Sequence, residues 1–257
     1  MIKAIFIDFD GTLFSHTKHA IPASSIQAIN IVRSKGIKVY LCTGRAKVEF
    51  KQFDLSELNV DGMVLCNGQI VLDNEDNIIY ENEIKGVLKD KLVKLFNDNV
   101  LSIYFTSNDE VFLNYANELI KKIQANVSSV VPDVRPYNNQ KIYMASAFFD
   151  NEEERLLINE LGDEAQITSW HIGAVDIVPK GSCKANGIME TIKKLNITMD
   201  EVMGVGDGDN DIDMLEKCGV GVAMGNSIQS IKDIADYVTD DIDEDGLYNA
   251  FKHYGLI

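Results

Sequence analysis

The chain has 257 residues, 46% hydrophobic and 25% charged, a globular composition long enough for one large domain or two ordinary ones. Its 40 Asp and Glu outnumber 24 Lys and Arg, for a net charge of −16. That balance argues against a general nucleic-acid binder or a docker on anionic membranes, because both meet phosphate with positive surface. A small anionic substrate stays open, since a site sets its own local field.

The first segment, Lys3 to Ile7, is a short apolar run that ends in carboxylates and reads as a buried strand. It is too short for a secretory core of about 7–15 apolar residues. No later stretch approaches the roughly 18–20 that span a bilayer. A cytoplasmic protein with no membrane partner is the expectation. The four cysteines, Cys42, Cys66, Cys183 and Cys218, lie far apart without a C-x-x-C pair and read as buried reduced thiols.

Between Ser24 and Lys35 the apolar residues Ile26, Ile29 and Val32 recur every three positions, a helical stripe closed by Gly36. Residues 37–42 form the next strand and 62–66 a third, with a turn at Asn67-Gly68. Residues 69–73 and 77–81 flank a polar tetrapeptide and read as a hairpin. From 83 to 179 the texture changes. Helical stripes (Leu88, Leu92, Leu95; Leu119, Ile120, Ile123) mix there with strand-like runs at 101–106 and 142–149. Alternation then resumes, with strands at 201–205 and 220–224 and helices at 209–217 and 227–236. This order predicts an α/β chain with a mainly parallel sheet, built from residues 1–82 and 180–257. Residues 83–179 form a second, inserted α+β domain.

Four motifs close predicted strands or open predicted helices. Asp8-Phe9-Asp10-Gly11-Thr12 gathers two carboxylates just past the first strand, at the sheet edge where open α/β sheets bind ligands. Carboxylates clustered there need a cation, and oxygen ligands favour Mg²⁺. Thr43-Gly44-Arg45 follows the second strand, and its hydroxyl and free glycine amide suit a phosphate oxygen. Lys184, in a polar loop opening the next helix, supplies a point cation for phosphate.

The fourth motif runs from Gly204 to Asp211 and holds Asp207, Asp209 and Asp211 within five residues at a helix start, a set suited to a metal. It is not a dinucleotide loop, because its glycines give G-x-G-x-D and its acids repel pyrophosphate. Nor is it an EF-hand: Ile212 stands where glycine belongs and Cys218 where the bidentate Glu belongs.

In this order, D-x-D-G-T, T-G-R, the lysine and G-D-G-D-N-D, the sequence resembles the haloacid dehalogenase-like (HAD) phosphohydrolases. It is closest to their Cof-type branch with a large cap. Cys66-Asn67-Gly68 and Asp245-Gly246 extend the resemblance. The resemblance implies a Rossmann-like core and a cap that selects substrate. It also implies a Mg²⁺-dependent phosphatase of small phosphorylated metabolites.

On this resemblance Asp8 is the nucleophile and Asp10 the general acid and then base. Thr43, the Gly44 amide and Lys184 would hold the phosphoryl oxygens. Asn210 would orient the phosphate or Lys184, and Arg45 is a candidate substrate contact or a tie from the phosphate loop to the cap, with a structural ion pair as the competing reading. Asp8, the Asp10 carbonyl and Asp207 would bind the metal, with Asp211 acting through water. A phosphotransferase or mutase of the same superfamily remains as an alternative. A phospho-accepting receiver module is opposed by the position of Asp8 after the first strand and by the long insertion.

Other residues read as structural. His16 and His19 are taken as exposed loop histidines, with a place at the mouth of the site as the competing reading. Trp170 and His171 are candidates for either a substrate pocket or a packed aromatic junction. The acidic run 240–245 reads as solvated capping. The tripeptides Asn126–Ser128 and Asn196–Thr198 fit a glycosylation pattern that means nothing without a secretory route.

Overall fold

The computed structural model describes residues 1–127 and 129–257, so the last position of the Asn126–Ser128 tripeptide lies outside the described residues. In chain order the elements are β1 (Ala4–Ile7), α1 (Ala23–Ser34), β2 (Lys38–Cys42), β3 (Gly62–Leu65), β4 (Ile70–Asp73), β5 (Ile78–Glu81) and α2 (Gly86–Asn97). There follow β6 (Ser102–Thr106), β7 (Val111–Leu113), α3 (Glu118–Asn126), β8 (Asp133–Val134), β9 (Met144–Phe148), α4 (Asn151–Leu161), β10 (Ala165–His171) and β11 (Ala174–Pro179). The chain closes with α5 (Lys184–Leu195), β12 (Val202–Gly206), α6 (Ile212–Lys217), β13 (Val220–Ala223), α7 (Gln229–Ile234), β14 (Tyr237–Val238) and α8 (Gly246–His253). Two compact units result. One holds residues 1–43, 53–80 and 183–257; the other holds 44–52 and 81–182.

The first unit is organised on a sheet with strand order β14-β13-β12-β1-β2-β3-β4-β5. Every pairing from β14 to β3 is parallel, and β3 turns back antiparallel onto β4. The central strands β1 and β12 are buried at every residue, as expected for parallel strands covered on both faces. Phe6 and Tyr40 stack at 5.0 Å within a cluster that includes Val64, Ile188 and Val202.

Helix α1 buries Ser25, Ala28, Ile29 and Val32, so its inner face is turned slightly from the predicted stripe and Ile26 lies at its margin. Gly36, at φ +86°, ends it as expected. The predicted 209–217 helix begins instead as a tight 3-10 turn over Asp209–Asp211, and α6 proper starts at Ile212. The Asp211 side chain turns back onto the preceding loop there, which shapes that turn.

The second unit is a six-stranded sheet of order β10-β11-β9-β6-β7-β8, antiparallel except between β7 and β8. One face (Ile103, Phe105, Ala145, Ala147, Val175, Ile177) packs with Leu88, Leu92, Leu95 and Phe96 of α2 and with Leu157 and Leu161 of α4. On the other face Tyr104, Phe148 and Ala174 meet Ile120 and Ile123 of α3, with Trp170 packed alongside. Trp170 meets Phe148 edge-on at 5.9 Å, so the tryptophan is a packed aromatic. Alternation along each strand separates these two sets.

All four cysteines are free. Cys42, Cys66 and Cys218 are buried as expected, but Cys183 is only half-buried because it caps the start of α5. Among the described residues, no helix is long and apolar enough to cross a membrane.

Phe105 has no solvent exposure, stacks on Phe96 at 4.4 Å and meets Phe112 and Tyr137 edge-on. Phe105→Ala should therefore lower unfolding free energy by about 3–5 kcal/mol, measured as a fall in the urea midpoint.

Candidate active site

Strand order brings the first and fourth motifs together. β1 lies between β12 and β2, with Ile7 opposite Val205 and Leu41, so the residues leaving these three strands gather at one sheet edge. Asp8 continues β1 and donates its amide to the Val205 carbonyl at 2.9 Å. Asp207 leaves β12, and its Oδ1 accepts the Thr12 hydroxyl at 2.7 Å. Gly11 at φ +81° makes this approach feasible: a Cβ there would collide with the Asp207 carboxylate. Gly206 is similarly constrained, since a Cβ would run into Asp211.

Lys184 is the first residue of α5 and is fully buried. That helix comes in close to the turn after β3, because Gly187 leaves no room for a Cβ between Val64 and Gly68. The Lys184 ammonium bridges Asp8 Oδ1 at 2.5 Å and Asp211 Oδ1 at 2.7 Å. The second oxygen of Asp211 accepts the amides of Asp207 and Gly208, each at 3.0 Å. Asp211 is thus fully buried and fixed on both oxygens, and it orients the lysine and the acidic turn together.

The electrostatics follow from one buried cation facing several carboxylates. Burial pushes the Asp8 carboxyl well above its usual range; Lys184 opposes this, while Asp211, Asp207 and Asp10 add to it. Burial works against the Lys184 ammonium too, but Asp211 and Asp8 outweigh it and hold that ammonium charged. Asp207 is raised to about 7, first by burial and then by Asp211. Asp8, Asp207 and Asp211 each offer an oxygen, all within 4.8 Å of one another. An all-oxygen set short of positive charge suits a hard divalent cation.

The remaining predicted residues are distributed as follows. Thr43 directly follows β2, is buried, donates its amide to the Val64 carbonyl and accepts the amide of Asn67 at its own carbonyl. Gly44 follows it directly and falls, with Arg45, in the second compact unit. Arg45 is buried and donates to the Ser129 hydroxyl and the Val127 carbonyl, both at 3.3 Å. These bonds tie it to the segment after α3. Asn210 donates to Asn67 Oδ1 at 3.0 Å. Asn67 holds a left-handed conformation (φ +52°).

Asp10 is half-exposed and lies 2.9 Å from His16 Nε2, so His16 is not a free exposed loop histidine. His19 is exposed as expected. Sequence reasoning left Thr12 and Asn67 without a role and gave His16 a place at the mouth of the site only as the competing reading. The first two sat within quoted motifs, and His16 carried no pattern because its partner depends on how the loop returns.

A family model for haloacid dehalogenase-like hydrolases matches residues 5–251. YkrA of Bacillus subtilis (strain 168), a protein with a provisional phosphatase name, is 31% identical over 260 residues, 99% of this chain and 98% of its own. The 5-amino-6-(5-phospho-D-ribitylamino)uracil phosphatase YcsE of the same organism is 28% identical and covers 99% and 96% respectively. The solved structure of the HAD subclass IIB sugar phosphatase BT4131 matches with TM-score 0.89 and 33% identity over 99% of this chain and 100% of its own.

Because folded Asp207 titrates near 7 rather than at its ordinary 3.8, the metal-free folded protein holds a proton there that the unfolded chain has lost. Stability contributed by this group falls as pH rises between those values. The melting temperature in EDTA should drop from pH 5 to pH 8, less so in Asp207→Asn. A saturating divalent cation should restore it most at pH 8.

Proposed function

The chain belongs to the haloacid dehalogenase-like hydrolase family, and from that membership we propose a Mg²⁺-dependent phosphatase. Its substrates are small phosphomonoesters, sugar phosphates or similar metabolites, hydrolysed through an aspartyl phosphate on Asp8. The observation that carries this reading is the buried Lys184 ammonium held between Asp8 and Asp211, beside the Asp207 carboxylate. It joins a potential nucleophile, a cation for phosphoryl charge and a metal-suited acidic set in one place. The relatives named as phosphatases of a sugar phosphate class and of a ribityl phosphate support the substrate class.

The residues have these roles. A carboxylate oxygen of Asp8 bonds to phosphorus as the ester oxygen departs, and Asp10 gives that oxygen its proton. Water then attacks phosphorus while Asp10 takes back a proton. The bond to Asp8 breaks, inorganic phosphate leaves and the Asp8 carboxylate is restored. Lys184, the Thr43 hydroxyl and the Gly44 amide hold the phosphoryl oxygens, and Asn210 steadies the acidic turn through Asn67. Asp8, the Asp10 carbonyl and Asp207, with Asp211 acting through water, would hold Mg²⁺, which when bound would supply positive charge that lets an anionic nucleophile meet an anionic ester. Residues 83–179 serve as the cap and choose the leaving group, with Arg45 fastened to that segment.

Phosphate release from a metabolite panel should require Mg²⁺ and vanish in EDTA. Asp8→Asn should fall to background, and Asp10→Asn should lose about 10²–10⁴-fold. With excess acceptor alcohol, inorganic phosphate should remain the product; transfer to the alcohol would favour a phosphotransferase.

A further inference from the structure

The loop between β1 and α1 is ordered by its own hydrogen bonds. Leu13 and Phe14 donate to the Phe9 carbonyl, Gly11 donates to the Phe14 carbonyl at 3.1 Å, and Ser15 and Ala20 exchange amide bonds. The chain therefore turns back on itself within a few residues of Asp10. The Ser15 hydroxyl accepts the Lys18 amide at 3.0 Å and fixes the tip. This return places the His16 ring against Asp10, with Nε2 at 2.9 Å from Oδ1.

One further contact holds the ring. Phe14 meets it edge-on at 5.4 Å. Phe14 is itself stacked on Phe9 at 5.4 Å and edge-on to Phe53 at 4.7 Å. The other ring nitrogen, Nδ1, is buried without a hydrogen-bond partner. A buried lone pair without a partner is tolerated better than a buried N–H without one, so the proton belongs on Nε2 and points at Asp10.

We propose that His16 is a positioning residue: its Nε2–H holds the Asp10 carboxyl in the orientation that delivers a proton to the departing alkoxide. The proposal rests on the reading of Asp10 as the general acid. A half-exposed carboxyl on a loop has several rotamers, and only some direct a proton at the ester oxygen. A donor fixed on one oxygen selects among them. The binding energy of His16 is spent on geometry and not on the phosphate, so the effect belongs to the chemical step.

Leaving-group dependence separates this role from a structural one. Alkyl phosphates need protonation of the departing oxygen, whereas a nitrophenolate leaves without it. The experiment compares kcat/KM for a sugar phosphate and for p-nitrophenyl phosphate in wild type, Asp10→Asn, His16→Ala, His16→Gln and His16→Asn. The glutamine amide nitrogen reaches where Nε2 stood; the asparagine amide is too short.

His16→Ala and His16→Asn should each lose about tenfold or more on the sugar phosphate, with less than about threefold on the aryl ester. KM should be unchanged, and His16→Gln should recover most of the loss. Asp10→Asn should show the same bias more strongly. Equal losses on both esters, or none, would overturn the role of His16 while leaving Asp10 as the acid. If Asp10→Asn itself shows no leaving-group bias, the acid assignment fails and this proposal fails with it. Should His16→Ala not fold, the contrast between His16→Gln and His16→Asn decides alone.

Discussion

A lysine with no solvent exposure is tolerable only among counter-charges, and Lys184 stands between two of them, Asp8 and Asp211. Much of the first unit serves that arrangement. Removing the lysine would leave two buried carboxylates beside a third; removing either carboxylate would unbalance a buried cation. The pieces are therefore mutually dependent, although they come from three distant stretches of chain. The same arithmetic of charge leaves the acidic set short of one cation, the condition in which a divalent ion binds well.

The parallel sheet is what makes such a concentration of charge possible. Adjacent strands β2, β1 and β12 all run in one direction, so the residues that leave them share an edge. Backbone amides at that edge are also available: those of Asp207 and Gly208 point at Asp211. Glycines at 11 and 206 set how closely the loops approach, since a single methyl group at either would occupy space held by a carboxylate. Local backbone freedom and charge packing are here one requirement.

The second unit follows a different logic. Its sheet is antiparallel and covered on both faces, by α2 and α4 on one side and α3 on the other. Within it the buried Ser146 hydroxyl donates to Asp176 at 2.6 Å, and Ser146 stands opposite Tyr104 across the strands. A polar row of this kind cannot be seen in sequence, because its members lie on three strands separated by tens of residues. The predicted stripes of 88–95 and 119–123 did identify the helices that pack here, since their period depends only on local geometry. The segment 44–52 is another matter: its grouping with this unit reflects contacts made far along the chain.

The sequence by itself determined the classes of element and the chemistry present. Short apolar runs leading into Asp8, Thr43 and Asp207 announced strands that end in polar motifs, and the order of four motifs pointed to the family. It did so because strand burial, helix periodicity and turn chemistry are local properties. What only the tertiary structure decided were the pairings across the chain: Lys184 with Asp8 and Asp211, Thr12 with Asp207, Asn210 with Asn67, and His16 with Asp10. Each is a hydrogen bond or ion pair whose direction is set by sheet order, helix approach or the return of a loop. His16 shows the difference most clearly: its residue type said little, and its position 2.9 Å from Asp10 depends on a loop closed by its own backbone.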